Sequence, residues 1–389
     1  MRDDVIQRTN QNAIEAVGRG SRFTMTYAAG IIGTGGIAGM GILGMHDPED
    51  IGRKKIEASH AGGYAAQEGI ELVAVADVDD GKLRRFGEAW EIPEERRYLG
   101  HESMLENETL DVVSVCTPTY IHHQHVVDAA RSAADPSLVW CEKPIDSQVS
   151  AAERMISACE ETDTELLVNH SFRFTDKLQQ LRTLIQEDDL LGDVVSVSTQ
   201  FRMELLRNST HLLDTLVYLL DARAETVAGH ITGENEAVDT LETDREVDDA
   251  GGGGFVVMDD GTFVTVDCTI PRELSSMTLQ FIGSEGKLYM NNDDGEWRYW
   301  RLEDGEHVEE SLPGIEGAWT WGEDYRRAFA NAAGHVVDVL DGRAENASTG
   351  EEATRSLEII IALYLSHHTG GQVEIPLARP LRDVRITSW

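Results

Sequence analysis

The segment around residues 28–39 restricts the possible folds of this chain more than any other stretch. A short apolar run ends in the spacing Gly33-x-Gly35-x-x-Ala38, and a helix-like segment follows. Gly33 permits a tight turn, Gly35 lets the backbone approach a phosphate, and the small Ala38 lets helix and strand pack closely. Because the first N–H groups of such a helix lie at the positive end of its dipole, they can bind a pyrophosphate. The pattern predicts a dinucleotide-binding unit, and a glycine-rich turn without a ligand is the alternative.

The charge of the chain limits its partners. Its 389 residues suffice for about two domains, and 70 Asp and Glu against 33 Lys and Arg give a net charge of −37. Such a surface repels nucleic acids and anionic membranes, so we predict neither as a partner. The composition is typical of halophilic proteins, whose self-repulsion is screened because the Debye length falls to about 3 Å in molar salt.

The cysteines and the apolar runs indicate a soluble, cytoplasmic protein. The four cysteines show no CxxC spacing, and three of them lie in apolar segments, which predicts buried thiols. Residues 1–27 contain no apolar core of the signal-peptide type. The longest apolar run, residues 357–365, is too short to cross a bilayer.

Strand and helix patterns alternate after the glycine-rich segment, as in a parallel α/β sheet. The predicted strands cover residues 71–77, 110–117, 138–142 and 164–170. Residues 40–58 contain several glycines and Pro48, so we interpret roughly this range as an insertion. The insertion explains why Asp77 follows Gly35 by more than the usual spacing of about 20 residues.

Asp77 bears on the choice of cofactor. An acidic side chain at the end of the second strand accepts hydrogen bonds from the adenosine ribose. Asp79 and Asp80 would repel a 2′-phosphate, which favours NAD over NADP, although Arg84 and Arg85 on the next helix weaken that preference. We predict NAD as the cofactor, with NADP as the alternative. The acidic residues could also form a solvated surface turn that binds no cofactor.

Two later strands end in proline turns, at Thr117-Pro118 and at Glu142-Lys143-Pro144. A lysine at the carboxyl end of a strand in an open α/β sheet points towards the ligand crevice, and a surface Glu–Lys pair is the alternative. The first turn is followed by His122, His123 and His125. A helix would divide these histidines between faces, so we predict no metal site.

The pattern changes in the second half of the chain, where apolar and polar residues alternate. The predicted strands cover residues 193–203, 255–258, 262–269, 277–282 and 287–290. Residues 259–261 and 294–295 carry hairpin turn signals. We expect a mostly antiparallel sheet, with an apolar helix at residues 357–367 that packs back on the first domain.

An ordered set of short motifs resembles the Gfo/Idh/MocA family of glucose-fructose oxidoreductases, inositol dehydrogenases and rhizopine-catabolism proteins. The matching pieces are Gly33-Thr-Gly-Gly-Ile-Ala38, Val75-Ala-Asp77, Thr117-Pro118-x-x-x-His122, Glu142-Lys143-Pro144, Phe172-Arg-Phe174, His211-x-x-Asp214 and Phe281-Ile-Gly283-Ser-Glu-Gly286. The resemblance extends from residue 27 to about 375. It implies an arm at 1–27, a Rossmann domain at 28–172 and an α+β domain with an open sheet at 173–389.

The same resemblance implies further properties. The free face of the second sheet would pair subunits into a homodimer or homotetramer. Thr117 and Pro118 would line the nicotinamide side, Lys143 would be the active-site lysine, and Glu142 would orient it. The expected cofactor-binding residues are Gly33, Thr34, Gly35, Gly36, Ile37, Ala38, Asp77, Thr117, Pro118, His122, Glu142 and Lys143.

The catalytic pair follows from a helix in the second half. Asn208 and Ser209 can cap a helix over residues 210–220, on which His211 and Asp214 share a face. Oxidation of a secondary alcohol requires a base for the hydroxyl proton, and a histidine suits that role. A lysine beside a cationic nicotinamide ring can relay the proton or polarise the forming carbonyl. The resemblance assigns these roles to His211 and Lys143; a capping or core histidine is the alternative for His211.

One position departs from the family. Relatives often carry Asp four residues before the histidine, where this chain has Arg207. A guanidinium binds carboxylate or phosphate well, so we expect Arg207 to contact an anionic substrate group. The substrate-binding candidates are Lys143, Arg173, Arg207, His211 and Asp214, with His170 and Arg202 as secondary candidates.

We therefore predict an NAD(P)-dependent dehydrogenase that oxidises a secondary alcohol of a sugar, sugar acid or cyclitol. An NAD-dependent glycosidase of the same fold is one alternative, and it would release sugar without net NADH. A ligand-sensing regulator without catalysis is the other. Arg207 at the usual Asp position favours the regulator, whereas Lys143 and His211 argue against it.

Overall fold

The computed structural model describes residues 26–41, 52, 55–232 and 246–387, which form a six-stranded sheet, a nine-stranded sheet and a two-stranded ribbon. Most of the predicted arm and most of the predicted insertion lie outside these residues, and Tyr27, the last residue of the predicted arm, already belongs to the first strand. Among the described residues, none of the helices combines the length and the hydropathy that a bilayer span requires.

The six-stranded sheet is parallel throughout. Its strands are β1 Tyr27–Ile32, β2 Ile70–Ala76, β3 Arg97–Tyr98, β4 Val112–Val115, β5 Leu138–Glu142 and β6 Glu165–Asn169, in the order β3-β2-β1-β4-β5-β6. β4 and β5 are fully buried, which explains their uninterrupted apolar sequences. The order reverses between β1 and β4, the switch point where open α/β sheets bind dinucleotides. The predicted Rossmann-type sheet is confirmed.

The helix predicted after the glycine-rich turn is only one turn long, Gly36–Met40. A side chain at Gly39 would come within 2.5 Å of the Trp90 indole, and Gly41 adopts a φ of 90°, which favours glycine. The regular helix pattern resumes as expected at Ser59, whose hydroxyl accepts a hydrogen bond from the Gly62 N–H.

The helices cover both sheets. They are α1 His60–Ala65, α2 Asp80–Ala89, α3 His101–Asn107, α4 His122–Ala130, α5 Val149–Glu161, α6 Asp176–Gln186, α7 Thr210–Leu220, α8 Arg326–Leu340 and α9 Gly350–Thr369. α9 packs mainly on the nine-stranded sheet, where Gly229 has no side chain to clash with Leu363. Its first residue, Gly350, lies against Ile156 and Leu166 of the first sheet's layer. The helix expected to pack on the first domain therefore joins both sheets.

The nine-stranded sheet is mostly antiparallel, as predicted. Its strands are β7 Val194–Arg202, β8 Ala224–Ile231, β10 Gly252–Met258, β11 Phe263–Ile270, β12 Thr278–Gly283, β13 Gly286–Asn291, β14 Glu296–Glu303, β15 Glu306–Glu310 and β16 Val373–Glu374. Only β7 and β11 pair in parallel. The ribbon consists of β9 Glu246–Asp248 and β17 Arg385–Thr387. Both predicted hairpin turns are present, at residues 259–261 and 294–295.

Candidate active site

The glycine-rich turn faces an open crevice. Gly33 has a φ of 90°, and a Cβ there would come within 2.9 Å of the Cys116 carbonyl oxygen and of the Thr117 methyl group. By contrast, nothing lies within 4 Å of a Cβ placed on Gly35. Gly35, Thr117 and Pro118 line a cavity of about 420 Å³ between the carboxyl ends of the strands. This shape fits a dinucleotide whose phosphates lie against bare backbone.

Asp77 is used differently from our expectation. Its Oδ2 accepts hydrogen bonds from the N–H and the hydroxyl of Thr34, at 2.7 and 2.8 Å, and its Oδ1 accepts one from the Asp79 N–H. A carboxylate has about four acceptor sites, so about one is left for the two ribose hydroxyls. Lys82 lines the same cavity and, together with Arg85, a smaller one of about 140 Å³ next to it. These cations would tolerate a 2′-phosphate.

His122 connects two strand ends instead of contacting the crevice. Its ring is 1% exposed, and its nitrogens lie 2.8 Å from the Thr117 carbonyl oxygen and 3.0 Å from the Pro144 carbonyl oxygen. The expectation that it binds the cofactor is therefore corrected to a role in holding the two proline turns together. His123 pairs with Asp146, so the neighbouring histidines have separate partners.

His125 lines the dinucleotide crevice. Its Nδ1 lies 3.0 Å from the Thr117 hydroxyl, and its ring packs at 4.4 Å on His101, which is bonded to Asp128. Burial, together with the nearby His101, lowers the pKa of His125 from 6.5 to about 4. His125 is therefore a neutral wall of the crevice at neutral pH.

This lowered pKa predicts a pH-dependent stability. Between about 4 and 6.5 the unfolded state binds a proton at His125 that the folded state does not, so the free energy of unfolding falls as the pH decreases through this window. From pH 7.5 to 5.5 the loss is about 1 kcal/mol. Urea unfolding of the wild type and of His125→Gln at both pH values measures it, and the variant should lose less. An equal loss in both proteins would contradict the assignment.

Glu142 points into the core. Its carboxylate is 6% exposed and accepts hydrogen bonds from His60 Nε2, at 3.0 Å, and from the Asn169 amide. Burial alone would raise the pKa of Glu142, but the hydrogen bond and charge of His60 and the charge of Lys143 lower it. Glu142 thus anchors the end of β5, and the expectation that it touches the cofactor is corrected. No motif pointed to His60, and the only signal was that a buried carboxylate needs a hydrogen-bond donor.

Lys143 leaves the end of β5 towards the second half of the chain. Its ammonium group donates a hydrogen bond to the Arg207 carbonyl oxygen at 3.1 Å. Burial lowers the pKa of Lys143, and Arg202 and Arg207 lower it further against the opposing charge of Glu142. The lysine can therefore lose its proton at a lower pH than an ordinary lysine.

Arg207 belongs to the turn Leu205–Ser209, which precedes α7. The Asp249 carboxylate accepts hydrogen bonds from the N–H groups of Leu206 and Arg207, both at 2.9 Å. Asp249 was not singled out in the sequence, because the segment around it appeared only as acidic surface. It fixes the carbonyl that Lys143 contacts, and the charge of the Arg207 side chain also reaches Lys143.

His211 is the second residue of α7, which directly follows that turn. Ser209 does not cap the helix as we predicted, since its hydroxyl donates instead to the Arg202 carbonyl oxygen at 2.8 Å. The His211 ring packs edge-on against Phe172 at 5.3 Å, and its Nδ1 is buried without a hydrogen-bond partner among the described residues. Burial and the nearby Lys143 hold the pKa of His211 well below 6.5. The imidazole is therefore neutral and able to accept a proton.

Arg173 and Asp214 form a buried ion pair. Both side chains are 1% exposed, and the two contacts measure 2.9 and 2.8 Å. Arg173 also donates to Glu352 of α9 at 2.7 Å. The substrate-binding role expected for the pair is corrected, because it joins the turn Ser171–Phe174 to α7 and α9. His170, which is equally buried, lies beside them.

Arg173→Met should destabilise the fold. It leaves the Asp214 carboxylate buried and unpaired, which costs about 3–5 kcal/mol. Arg131→Met is a matched control, since Arg131 pairs with Glu161 in solvent and such pairs contribute about 0–1 kcal/mol. Urea unfolding compares the two variants. Equal losses of unfolding free energy in the two variants would show that the buried pair stabilises the fold no more than an exposed pair does.

The sequence and structure comparisons agree with this architecture. Residues 28–170 match the model of the Gfo/Idh/MocA oxidoreductase family, NAD-binding Rossmann fold. A D-apiose dehydrogenase from Paraburkholderia graminis is 27% identical over 339 residues, which cover 82% of this chain and 86% of that protein. A D-xylose 1-dehydrogenase (NADP(+)) from Haloferax volcanii is 23% identical, with 78% and 92% covered.

Solved structures share the whole fold. An oxidoreductase from Agrobacterium radiobacter in complex with NAD+, L-tartaric acid and magnesium superposes with a TM-score of 0.71 at 18% identity, covering 90% of this chain and 99% of that chain. The aldose-aldose oxidoreductase from Caulobacter crescentus has a TM-score of 0.68 at 19% identity, with 90% and 100% covered.

Proposed function

We propose that this chain is an oxidoreductase of the Gfo/Idh/MocA type, because residues 28–170 match the NAD-binding Rossmann model of that family. The chain is an NAD(P)-dependent dehydrogenase that oxidises one secondary alcohol of a sugar, sugar acid or cyclitol. The observation that carries this proposal is the hydrogen bond from Lys143 to the Arg207 carbonyl oxygen. It joins the end of a strand at the dinucleotide crevice to the turn that begins the helix of His211.

The dinucleotide would be held by residues 33–38, Thr117 and Pro118. When bound, it supplies a hydride acceptor at the nicotinamide ring. Gly35 presents bare backbone to the crevice, and Thr34 is already fixed by Asp77, so the turn needs little rearrangement to bind phosphate. One acceptor site on Asp77 and the nearby Lys82 make both NAD and NADP acceptable.

His211 and Lys143 transfer the proton of the substrate hydroxyl. His211 is neutral at neutral pH and accepts the proton of the substrate hydroxyl at a ring nitrogen. Lys143 uses one ammonium proton on the Arg207 carbonyl oxygen and has others to offer to the substrate oxygen. Because burial lowers its pKa, the amine can also relay the proton towards solvent.

A substrate screen tests the proposal. Sugars, uronic acids and cyclitols are incubated with NAD or NADP at high salt, and NADH or NADPH formation is followed by absorbance. We expect turnover with at least one class, accompanied by an equimolar ketone or lactone. Sugar release without reduced cofactor would indicate the glycosidase instead, and binding without any reaction would indicate the regulator.

We further propose a homo-oligomeric, cytoplasmic protein that works in high salt. Phe255 and Phe263 stack at 5.3 Å on the outer face of the nine-stranded sheet, and Phe263 and Ile282 are 42% and 39% exposed there. A second copy of the chain would cover this face. The four cysteines are buried and unpaired, which suits a reducing compartment. The net charge of −37 supports the requirement for salt.

A further inference from the structure

A second cavity lies on the far side of Phe172 from His211. It has a volume of about 640 Å³, and Arg202, Trp321 and Tyr325 are among its lining residues. Trp321 and Tyr325 pack on Phe172 at 5.5 and 5.9 Å, and Phe172 in turn packs on His211 at 5.3 Å. A chain of ring contacts through the buried Phe172 therefore links the catalytic histidine to the wall of the cavity.

The charge of this cavity contrasts with the rest of the protein. Four cations line it against two carboxylates, whereas the whole chain carries −37. The charged lining residues are Lys55, Arg202, Arg272, Arg326, Glu57 and Asp293. A cationic cavity in so acidic a protein attracts anions to one place on its surface.

Most of these charges already have protein partners. Lys55 pairs with Glu91 at 3.1 Å, and Arg326 pairs with Glu57 at 3.4 Å. Asp293 accepts hydrogen bonds from the Trp321 indole N–H, at 3.0 Å, and from a backbone N–H. The carboxylate thereby fixes the tryptophan ring in the cavity wall.

Arg202 and Arg272 are different. Neither guanidinium forms an ion pair within the described ranges, and Arg202 Nε is buried without a hydrogen-bond partner there. Burial, and then the charge of Arg272, lowers the pKa of Arg202. The nearby Asp293 charge opposes this effect only in part, and a bound anion would use the Arg202 Nε–H and reduce the repulsion between the two guanidinium groups.

The position of Arg202 connects it to catalysis. It is the last residue of β7, and its carbonyl oxygen accepts the hydrogen bond from Ser209, just before α7. Its charge lowers the pKa of both Lys143 and His211, so it lies within electrostatic reach of the pair. An anionic group at Arg202 would hold the rest of the substrate in a fixed position relative to His211.

We propose that Arg202 and Arg272 bind the anionic substituent of an acidic sugar substrate, a carboxylate or a phosphate, while its hydroxyl faces Lys143 and His211. The position of the reacting hydroxyl in this assignment rests on the proposed dehydrogenase function, whereas the anion contact does not depend on it. The assignment gives Arg202 and Arg272 the anion contact that we expected of Arg207, and it selects acids or phosphates among the substrates.

Calorimetry and kinetics test the assignment together. D-glucuronate, D-glucose 6-phosphate and D-glucose are titrated at constant salt, in the presence of NADH, into the wild type, Arg202→Gln, Arg272→Gln and the control Arg301→Gln. Arg301 pairs with Glu310 on the exposed strand β14, away from the cavity. We expect an acidic ligand to bind more tightly than D-glucose, and each cavity variant to weaken it about 10- to 100-fold. The control should bind like the wild type.

The three ligands and the variants distinguish the possible outcomes. Preference for glucuronate assigns a carboxylate, and preference for the sugar phosphate assigns a phosphate. Arg202→Lys retains the charge and should restore part of the affinity, and thermal unfolding shows whether each variant is folded. Equal binding of the three ligands, or an unchanged affinity in folded Arg202→Gln, overturns the assignment. If no sugar yields NADH but the acids still bind through Arg202, the dehydrogenase proposal fails while this one stands.

Discussion

Lys143→Met is expected to lower kcat by about 10³-fold while the affinity for NADH stays within a few-fold of the wild type. The variant removes the amine that lies between the dinucleotide crevice and the turn before His211, yet it preserves the length and packing of the side chain. Its loss affects the proton and the substrate oxygen, and the glycine-rich turn that would hold the phosphates is untouched. Steady-state kinetics and NADH fluorescence titration give the two numbers.

Two further variants sharpen this test. Lys143→Arg keeps a positive charge and a donor for the Arg207 carbonyl oxygen but cannot give up its proton, so it should remain nearly inactive. Lys287→Met is the control, because Lys287 lies over Trp300 on the outer strands of the second sheet. An active Lys143→Met enzyme would remove the lysine from the mechanism. A loss of NADH binding in Lys143→Met would show that the lysine binds the cofactor and has no separate catalytic role.

The pH profile gives an independent check. Burial lowers the pKa of Lys143 below 10.5 and that of His211 well below 6.5, so the neutral forms are reached at lower pH than for the free side chains. The rate of alcohol oxidation should therefore rise with pH and reach its plateau below 10.5. Lys143→Arg should lose the ascending limb that belongs to the lysine.

Removal of salt should unfold the protein completely. The chain carries 70 acidic against 33 basic residues, and the Debye length grows from about 3 Å in molar salt to about 30 Å at 0.01 M. Carboxylates that are screened from each other in molar salt then repel across the whole surface, and the compact state becomes less stable. Circular dichroism during dialysis from molar KCl to dilute buffer should show the loss of helix and strand, and no activity should remain at the end of the dialysis.

The salt experiment includes a control for crowding and hydration. Sorbitol at the osmolality of molar KCl should not restore the fold, because it screens no charge, whereas NaCl should act like KCl. Light scattering in the same series reports the mass and therefore the oligomer. A protein that keeps its fold and its activity in dilute buffer would show that the acidic surface serves solubility and not adaptation to salt.

The elements were predictable because their patterns are local. The apolar runs at residues 110–117 and 138–142 led to β4 and β5, and the spacing of glycines located the crevice. β15 was missed because all five of its residues are exposed, so it has no buried face and no apolar alternation.

The site itself was predictable only in part. Lys143 and His211 were assigned from motifs, and the structure leads both to the same turn. The partners of Glu142 and Asp214 were not accessible, since His60 lies 82 residues from Glu142 and Arg173 lies 41 residues from Asp214. Periodicity shows which face of an element is buried, but not which distant element covers it.

Lys143 directly follows β5 of the first sheet, and His211 lies in the first turn of α7 in the second half of the chain. The Arg207 carbonyl oxygen connects the lysine to the turn before that helix. Chemistry in this molecule consequently depends on the alignment of two separately built halves. A small rotation of one half against the other would silence the enzyme while leaving each half folded, so activity should disappear earlier than secondary structure during gradual denaturation.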